Sequence, residues 1–175
     1  MTLRLKNVAI HPGSGNIIVV AEFPVPPDRL FRALTAAEEI GRWWGSPRSV
    51  PTLLWVGVPV KGTSWRAEGS RVAGRAAFTA FGDFLDVDAP RQMQMSWHGS
   101  WDQMMPTRID ARLEPVLGGS VLTLLHQGFM GREQACLRQG RIWYRAMKRL
   151  KAYLQAEASL GGRGSGQMRK AAANR

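Results

Sequence analysis

The chain has 175 residues, 45% of them hydrophobic, and 24 Lys plus Arg face 13 Asp plus Glu for a formal net charge of +11. Such a length and apolar content exclude a disordered chain and a crosslinked miniature scaffold, and point to one domain with its own core. A single cysteine, Cys136, excludes an intrachain disulfide and suits a reducing, cytoplasmic location.

No stretch reaches roughly 18 consecutive apolar residues, and residues 1–16 carry Arg4, Lys6 and Pro12-Gly13 where a signal peptide would have an apolar run. No membrane insertion and no cleaved leader are expected. A short strand at 3–10 and a turn at Pro12-Gly13-Ser14-Gly15 open the chain. Residues 17–23 then have the β-branched richness of a buried strand. In 28–35, Leu30, Phe31 and Leu34 recur at helical spacing behind Pro27, a residue suited to a first helical turn. Ile40, Trp43 and Trp44 continue that spacing in a second short helix over 36–44, stopped by Gly45 and Pro47.

From Val50 to Phe129 the pattern changes to about six segments punctuated by Gly and Pro, the signature of antiparallel strands. Met93, Met95 and Trp97 alternate with polar residues, as do Ile109, Ala111 and Leu113. Each set therefore marks an inward face, leaving His98, Asp110 and Arg112 outside. Gly118-Gly119 turns the chain into a return strand over 121–127. Finally, Cys136, Gly140, Trp143, Met147, Leu150 and Leu154 form one apolar stripe of a long helix over 132–156. Arg138, Arg141, Arg145, Lys148 and Arg149 fall on its opposite side. Residues 159–175, rich in Gly with Arg163, Arg169, Lys170 and Arg175, read as a flexible basic tail behind a single domain spanning 1–158.

These elements define an α+β protein in which the long helix must cover one face of the sheet. The motifs also carry a resemblance. Pro27-Asp28-Arg29-Leu30-Phe31-Arg32-Ala33-Leu34-Thr35, followed by Trp43-Trp44-Gly45, resembles the helix pair of the START-like, or SRPBCC, helix-grip superfamily. Within it, the chain is similar to the activator of heat-shock-protein-90 ATPase branch. Phe84-Leu85-Asp86-Val87-Asp88-Ala89-Pro90-Arg91 before Met95-Ser96-Trp97, the hairpin around Gly118-Gly119-Ser120, and the helix positions Trp143, Met147, Leu150, Tyr153 and Leu154 agree in order, so the likeness covers about 17–154. It implies the helix-grip (Bet v-like) fold, a curved antiparallel sheet wrapped around a C-terminal helix, with two short helices after the first strand. It fixes no function, because the superfamily spans carriers, cyclases and co-chaperone domains. Two departures bear on the space beneath the helix: Val60-Lys61-Gly62 offers one glycine where the family has a pair, and Ile142 stands where a glycine often precedes the helix tryptophan.

The resemblance and the apolar inner face together imply a small hydrophobic or amphipathic ligand between sheet and helix. Trp65, Met93, Met95, Trp97, Ile109, Leu124, His126, Phe129, Trp143 and Met147 are the candidate lining, joined more loosely by Trp101, Met104 and Met105. His126 shares strand parity with Leu122 and Leu124, so it points inward, either as an acid-base group or as a structural imidazole bonded to backbone. The enzymatic alternative, a cyclase, hydratase or hydrolase, would use His126 with Glu68 or Arg66 reaching inward. Asp83, Asp86 and Asp88 lack the spacing of a calcium loop, and neither a metal nor a cofactor is expected. The basic helix face has no interleaved aromatics, so no nucleic acid is expected, whereas a protein partner on that face or on the outer sheet is a third reading. Trp55 and Trp101, expected at the surface, would offer a face for self-association.

Overall fold

The computed structural model describes residues 2–44, 53–69 and 77–172. Gly45, Pro47 and Val50, which marked the exit from the second helix, lie outside them. Strands β1 (Leu3–Leu5), β2 (Val8–His11) and β3 (Asn16–Phe23) lead to helices α1 (Pro27–Thr35) and α2 (Ala37–Trp43). Strands β4 (Leu53–Val56), β5 (Ser64–Gly69), β6 (Phe78–Asp88), β7 (Gln92–Gly99), β8 (Thr107–Val116) and β9 (Gly119–Gln127) follow, and α3 (Glu133–Ala172) closes the chain. The segment read as one strand over 3–10 is a hairpin, reversed at Lys6, whose φ is 39°. The short helices therefore come after β3.

Among the described residues nine strands pair antiparallel in the order β1-β2-β3-β9-β8-β7-β6-β5-β4, and the sheet curves around α3 as a helix-grip fold. Register decides what meets in the core. Ile17, His126, Ile109, Met95 and Phe84 stand side by side across five strands. Val8, Val19, Leu124, Ala111 and Met93 form the parallel row. Every one of these side chains is buried, as period-two alternation requires of a face turned to the core.

Pro27 opens α1 and Asp28 sits in its first turn, where an anion complements the free N–H groups; Leu30, Phe31 and Ala33 face the core. The α3 stripe is buried from Cys136 to Leu154, as its spacing predicts. Gly140 lets the helix settle on β2: a Cβ there would lie 2.3 Å from Ile10 Cδ1. Beyond Leu154 the helix runs on to Ala172, through most of the stretch expected as a tail. Helical hydrogen bonds close within the segment itself, so helix can continue without tertiary packing even though each glycine weakens it by about 1 kcal/mol.

Candidate functional site

All seven tryptophans of the chain converge. Trp97 on β7 lies 4.6 Å from the Trp65 ring, 5.8 Å from Trp44, 6.3 Å from Trp101 and 6.4 Å from Trp143. Trp55 stacks on Trp65 at 4.8 Å with the planes 8° apart, and Trp43 meets Trp44 edge-on at 5.5 Å. Strand parity places Trp55, Trp65 and Trp97 on the inner face; the end of α2 brings Trp43 and Trp44, the turn after β7 brings Trp101, and α3 brings Trp143. Gly82, opposite Trp65 in the ladder, leaves the gap the indole needs: a Cβ there would meet Ser96 O at 2.0 Å.

Between this cluster and the sheet lies a cavity of about 30 Å³, walled by Leu34, Ile40, Trp43, Trp44, Trp55, Phe84, Met93, Met95, Trp97, Ile109, Ala111, Leu124 and Trp143. Only Leu34 and Trp44 among these are partly exposed, so the solvent side of the cavity is at the end of α2. Of the sequence-derived lining, Met93, Met95, Trp97, Ile109, Leu124 and Trp143 stand on this wall. Trp65, His126, Phe129 and Met147 are buried but behind it. The indoles, and not Ile142, fill the space beneath the helix. Sequence reading missed Trp43, Trp44 and Trp55; the alternation Leu54-Trp55-Val56 was the signal for the last of these, which is buried and offers no self-association face. Trp101 is half-buried, its Nε1 donating to Gln139 Oε1 at 3.0 Å, and Met104 and Met105 are exposed.

His126 is spent on structure. Its Nδ1 accepts from Trp143 Nε1 at 3.0 Å, and its Nε2 lies 2.8 Å from Thr107 Oγ1, whose proton goes to the Trp97 carbonyl at 2.9 Å. An indole only donates, so Nδ1 holds the lone pair and Nε2 the proton. Burial, and secondarily the Arg132 guanidinium, push this imidazole down to about 3. It is neutral, fully bonded and off the cavity wall. The link to backbone foreseen in the structural alternative runs through Thr107.

Neither other candidate for inward chemistry reaches the interior. Arg66 and Glu68 pair with each other on the outer side of β5, because Trp65 and Ala67 occupy its inner parity. The three acids take separate partners: Ser64 donates to Asp83 at 2.7 Å, Lys61 lies 3.3 Å from Asp86, and Arg91 lies 3.0 Å from Asp88. Among the described residues no three His, Cys, Asp or Glu side chains gather as metal ligands. Cys136 is buried and its thiol is pushed up to about 11 by desolvation, so it is a packing residue.

Arg138, Arg141, Arg145 and Lys148 are exposed on α3. Arg149 is not free on that face. It turns inward and donates to the last carbonyls of α2, from Nε to Trp43 O at 2.9 Å and from Nη2 to Trp44 O at 2.5 Å. Desolvation, with Arg145 nearby, lowers its pKa. A helix C-terminus presents unpaired carbonyls that favour a cation, which explains why the side chain leaves the solvated side. Buried Glu39 adds a second tie between the helices, 2.8 Å from Arg29 and 2.9 Å from Arg32, with the Tyr153 hydroxyl donating to it at 3.2 Å.

The fold, with this small aromatic chamber between sheet and helices, is that of a helix-grip domain. The chain belongs to the family of Activator of Hsp90 ATPase homolog 1-like proteins, whose model matches residues 24–155. No curated protein matches it in sequence. A crystal structure from Rhodobacter sphaeroides shares the fold with a TM-score of 0.71 at 21% identity, covering 85% of this chain and 98% of that one. CalU16 from Micromonospora echinospora matches with a TM-score of 0.60 at 20% identity over 95% and 90% of the two chains. DynU16, a protein of the dynemicin biosynthetic locus, matches with a TM-score of 0.65 at 16% identity over 81% of this chain and 47% of its own. Among the described residues no helix is long and apolar enough to cross a membrane.

Proposed function

We propose that the protein binds a small hydrophobic molecule between sheet and helices, within the cytoplasm and without chemistry of its own. The observation that supports this most is a cavity walled almost wholly by apolar and aromatic side chains, with a partly exposed tryptophan at its solvent side. DynU16's place in a biosynthetic locus for a small molecule fits the same reading. An enzymatic role has no support in His126, both of whose nitrogens are occupied.

At about 30 Å³ the chamber is too small for a drug-sized ligand, whose pockets have roughly 300–1,000 Å³. Admission of a ligand therefore requires the Trp44 ring to swing out, which leaves the sheet undisturbed. The test is a thermal-shift and tryptophan-fluorescence titration against fatty acids, sterols and aromatic polyketides. A shift that saturates with ligand, accompanied by quenching, is expected, and ligand at 100 times its Kd would stabilise by about 2.7 kcal/mol. Trp44→Ala should bind more tightly because it no longer has to open. Absence of any saturable response in both the parent and Trp44→Ala would overturn the reading.

A partner-binding role has one observation of its own. Leu54 and Val56 on edge strand β4 and Phe81 on β6 stand on the outer sheet face, all more than 40% exposed. If that face docks a protein, Val56→Lys should abolish complex formation while leaving Tm unchanged; an unaltered pull-down would dismiss it.

A further inference from the structure

Most indole N–H groups on or near the chamber have found acceptors. Trp43 Nε1 donates to Ala33 O at 2.8 Å, Trp143 to His126, Trp65 to Ser96 O at 3.2 Å and Trp101 to Gln139. Trp55 Nε1 and Trp97 Nε1 are different: both are buried from solvent and neither has a partner among the described residues. Gln139 Nε2 is also unpartnered but lies off the wall, and Arg29 Nη1, though 2.8 Å from the Glu39 carboxylate, makes no well-formed hydrogen bond. The two unpartnered indole donors thus both belong to side chains that border the cavity. A buried donor without an acceptor costs on the order of a hydrogen bond, so its persistence calls for an explanation in what fills the adjoining space.

Among the described residues the wall supplies indole donors and no strong side-chain acceptor. Its side chains are hydrocarbon, indole or thioether, and the carbonyls of Met93, Met95, Ile109, Ala111 and Leu124 lie in strands paired on both sides. A water fits by size, needing roughly 10–15 Å³, and could accept from an indole. Its own two protons, however, would face only ring faces and the weak thioethers of Met93 and Met95. A phenol or alcohol has the same difficulty with its proton. A carboxylate or phenolate would have to leave water for an apolar chamber with no countercharge on the wall. What remains is a group that accepts and does not donate, carried on a flat apolar body that can lie against tryptophan faces.

We infer that the chamber selects a neutral aromatic carbonyl compound, a ketone or quinone, whose oxygen accepts from the indole N–H of Trp55 or Trp97. This rests on the cavity being a binding site and adds the ligand's chemical class. The oxygen anchors the ligand, and the ring fills the volume that the outward swing of Trp44 opens.

The experiment compares acetophenone with ethylbenzene, nearly the same shape without the oxygen, by titration followed through the indole N–H resonances of ¹⁵N-labelled protein. Acetophenone should bind about 10-fold more tightly, the scale of one hydrogen bond, and should move the Trp55 or Trp97 indole proton downfield. In Trp55→Phe/Trp97→Phe, which keeps an aromatic ring at each position and loses both donors, the preference should vanish while ethylbenzene binding persists. Equal affinity of the two probes for the wild-type protein, or a preference that survives the double substitution, overturns the inference and leaves the binding reading standing. Indole resonances at Trp55 and Trp97 that show only contacts to water and do not respond to acetophenone overturn it too, assigning those donors to buried water. If neither probe binds wild type or Trp44→Ala, both readings fall. Should the double variant not fold, the wild-type preference and the two indole shifts decide the matter alone.

Discussion

The two ends of the core are built differently. Around β1, β2, β3 and α3 the packing is aliphatic and tight: Val8, Ile10, Ile17 and Val19 are essentially inaccessible, and Gly140 has no room for a methyl group. Around β4 to β7 and α2 the core is rich in indoles, with an unfilled cavity and two N–H groups left without acceptors among the described residues. Aliphatic side chains in two interleaved rows can reach crystal-like density, whereas rigid bicyclic rings meeting at mixed angles leave gaps. The aliphatic end therefore behaves as scaffold, and the aromatic end is where a ligand can be admitted without loss of the fold.

The contrast can be broken hardest at its centre. Trp97 touches four other tryptophans, so Trp97→Ala should cost about 3–5 kcal/mol in urea denaturation, the range for removing a large buried aromatic. A loss below about 1 kcal/mol would mean that the aromatic end contributes little to the fold. Thr107→Val should come next, at about 1–3 kcal/mol, because it strips the acceptor from His126 Nε2 and the donor from the Trp97 carbonyl together.

Acid should reach the same relay. His126 is held near 3 in the fold and titrates near 6.5 when unfolded, so below pH 6.5 the unfolded chain binds a proton that the folded chain refuses. Stability from this group is complete above pH 6.5 and is lost as the pH falls toward 3, by up to about 1.4 kcal/mol per unit. Urea midpoints measured at pH 7, 6 and 5 should show that slope, and His126→Gln should flatten it. The smallest effect belongs to the aliphatic end. Gly140→Ala sets a methyl against Ile10, and after the gain in helix propensity a net loss of about 1 kcal/mol is expected. Combining it with Ile10→Val should cost less than the two changes added, a non-additivity read from a double-mutant cycle.

Much of this was legible one residue at a time. Alternation in 93–97 and 109–113 assigned the inner face, and the three-and-four spacing from Cys136 to Leu154 assigned the buried side of α3, because side-chain direction in strand and helix is set locally. The same logic placed His126 inside but could not say that Trp143 and Thr107 would occupy it, since those partners are 17 and 19 residues away along the chain. Arg149 was misread as solvated because helical periodicity sees one helix at a time, and the carbonyls that draw it inward belong to α2. Trp43 and Trp44 were overlooked as cavity wall for the same reason, whereas Trp55 was legible in the alternation Leu54-Trp55-Val56.

By itself, then, the sequence determined most of the elements, their buried faces and an α+β arrangement, consequences of short-range backbone geometry and burial pattern, while the helix-grip fold followed from the resemblance of its motifs to a known superfamily. Only the tertiary structure decided that seven tryptophans scattered from Trp43 to Trp143 form one cluster, that four of the ten expected lining residues stand behind the wall, and that two indoles keep free donors. Those outcomes depend on strand register and on how α2 and α3 sit over the sheet, where a shift of one residue would turn each side chain to the other face.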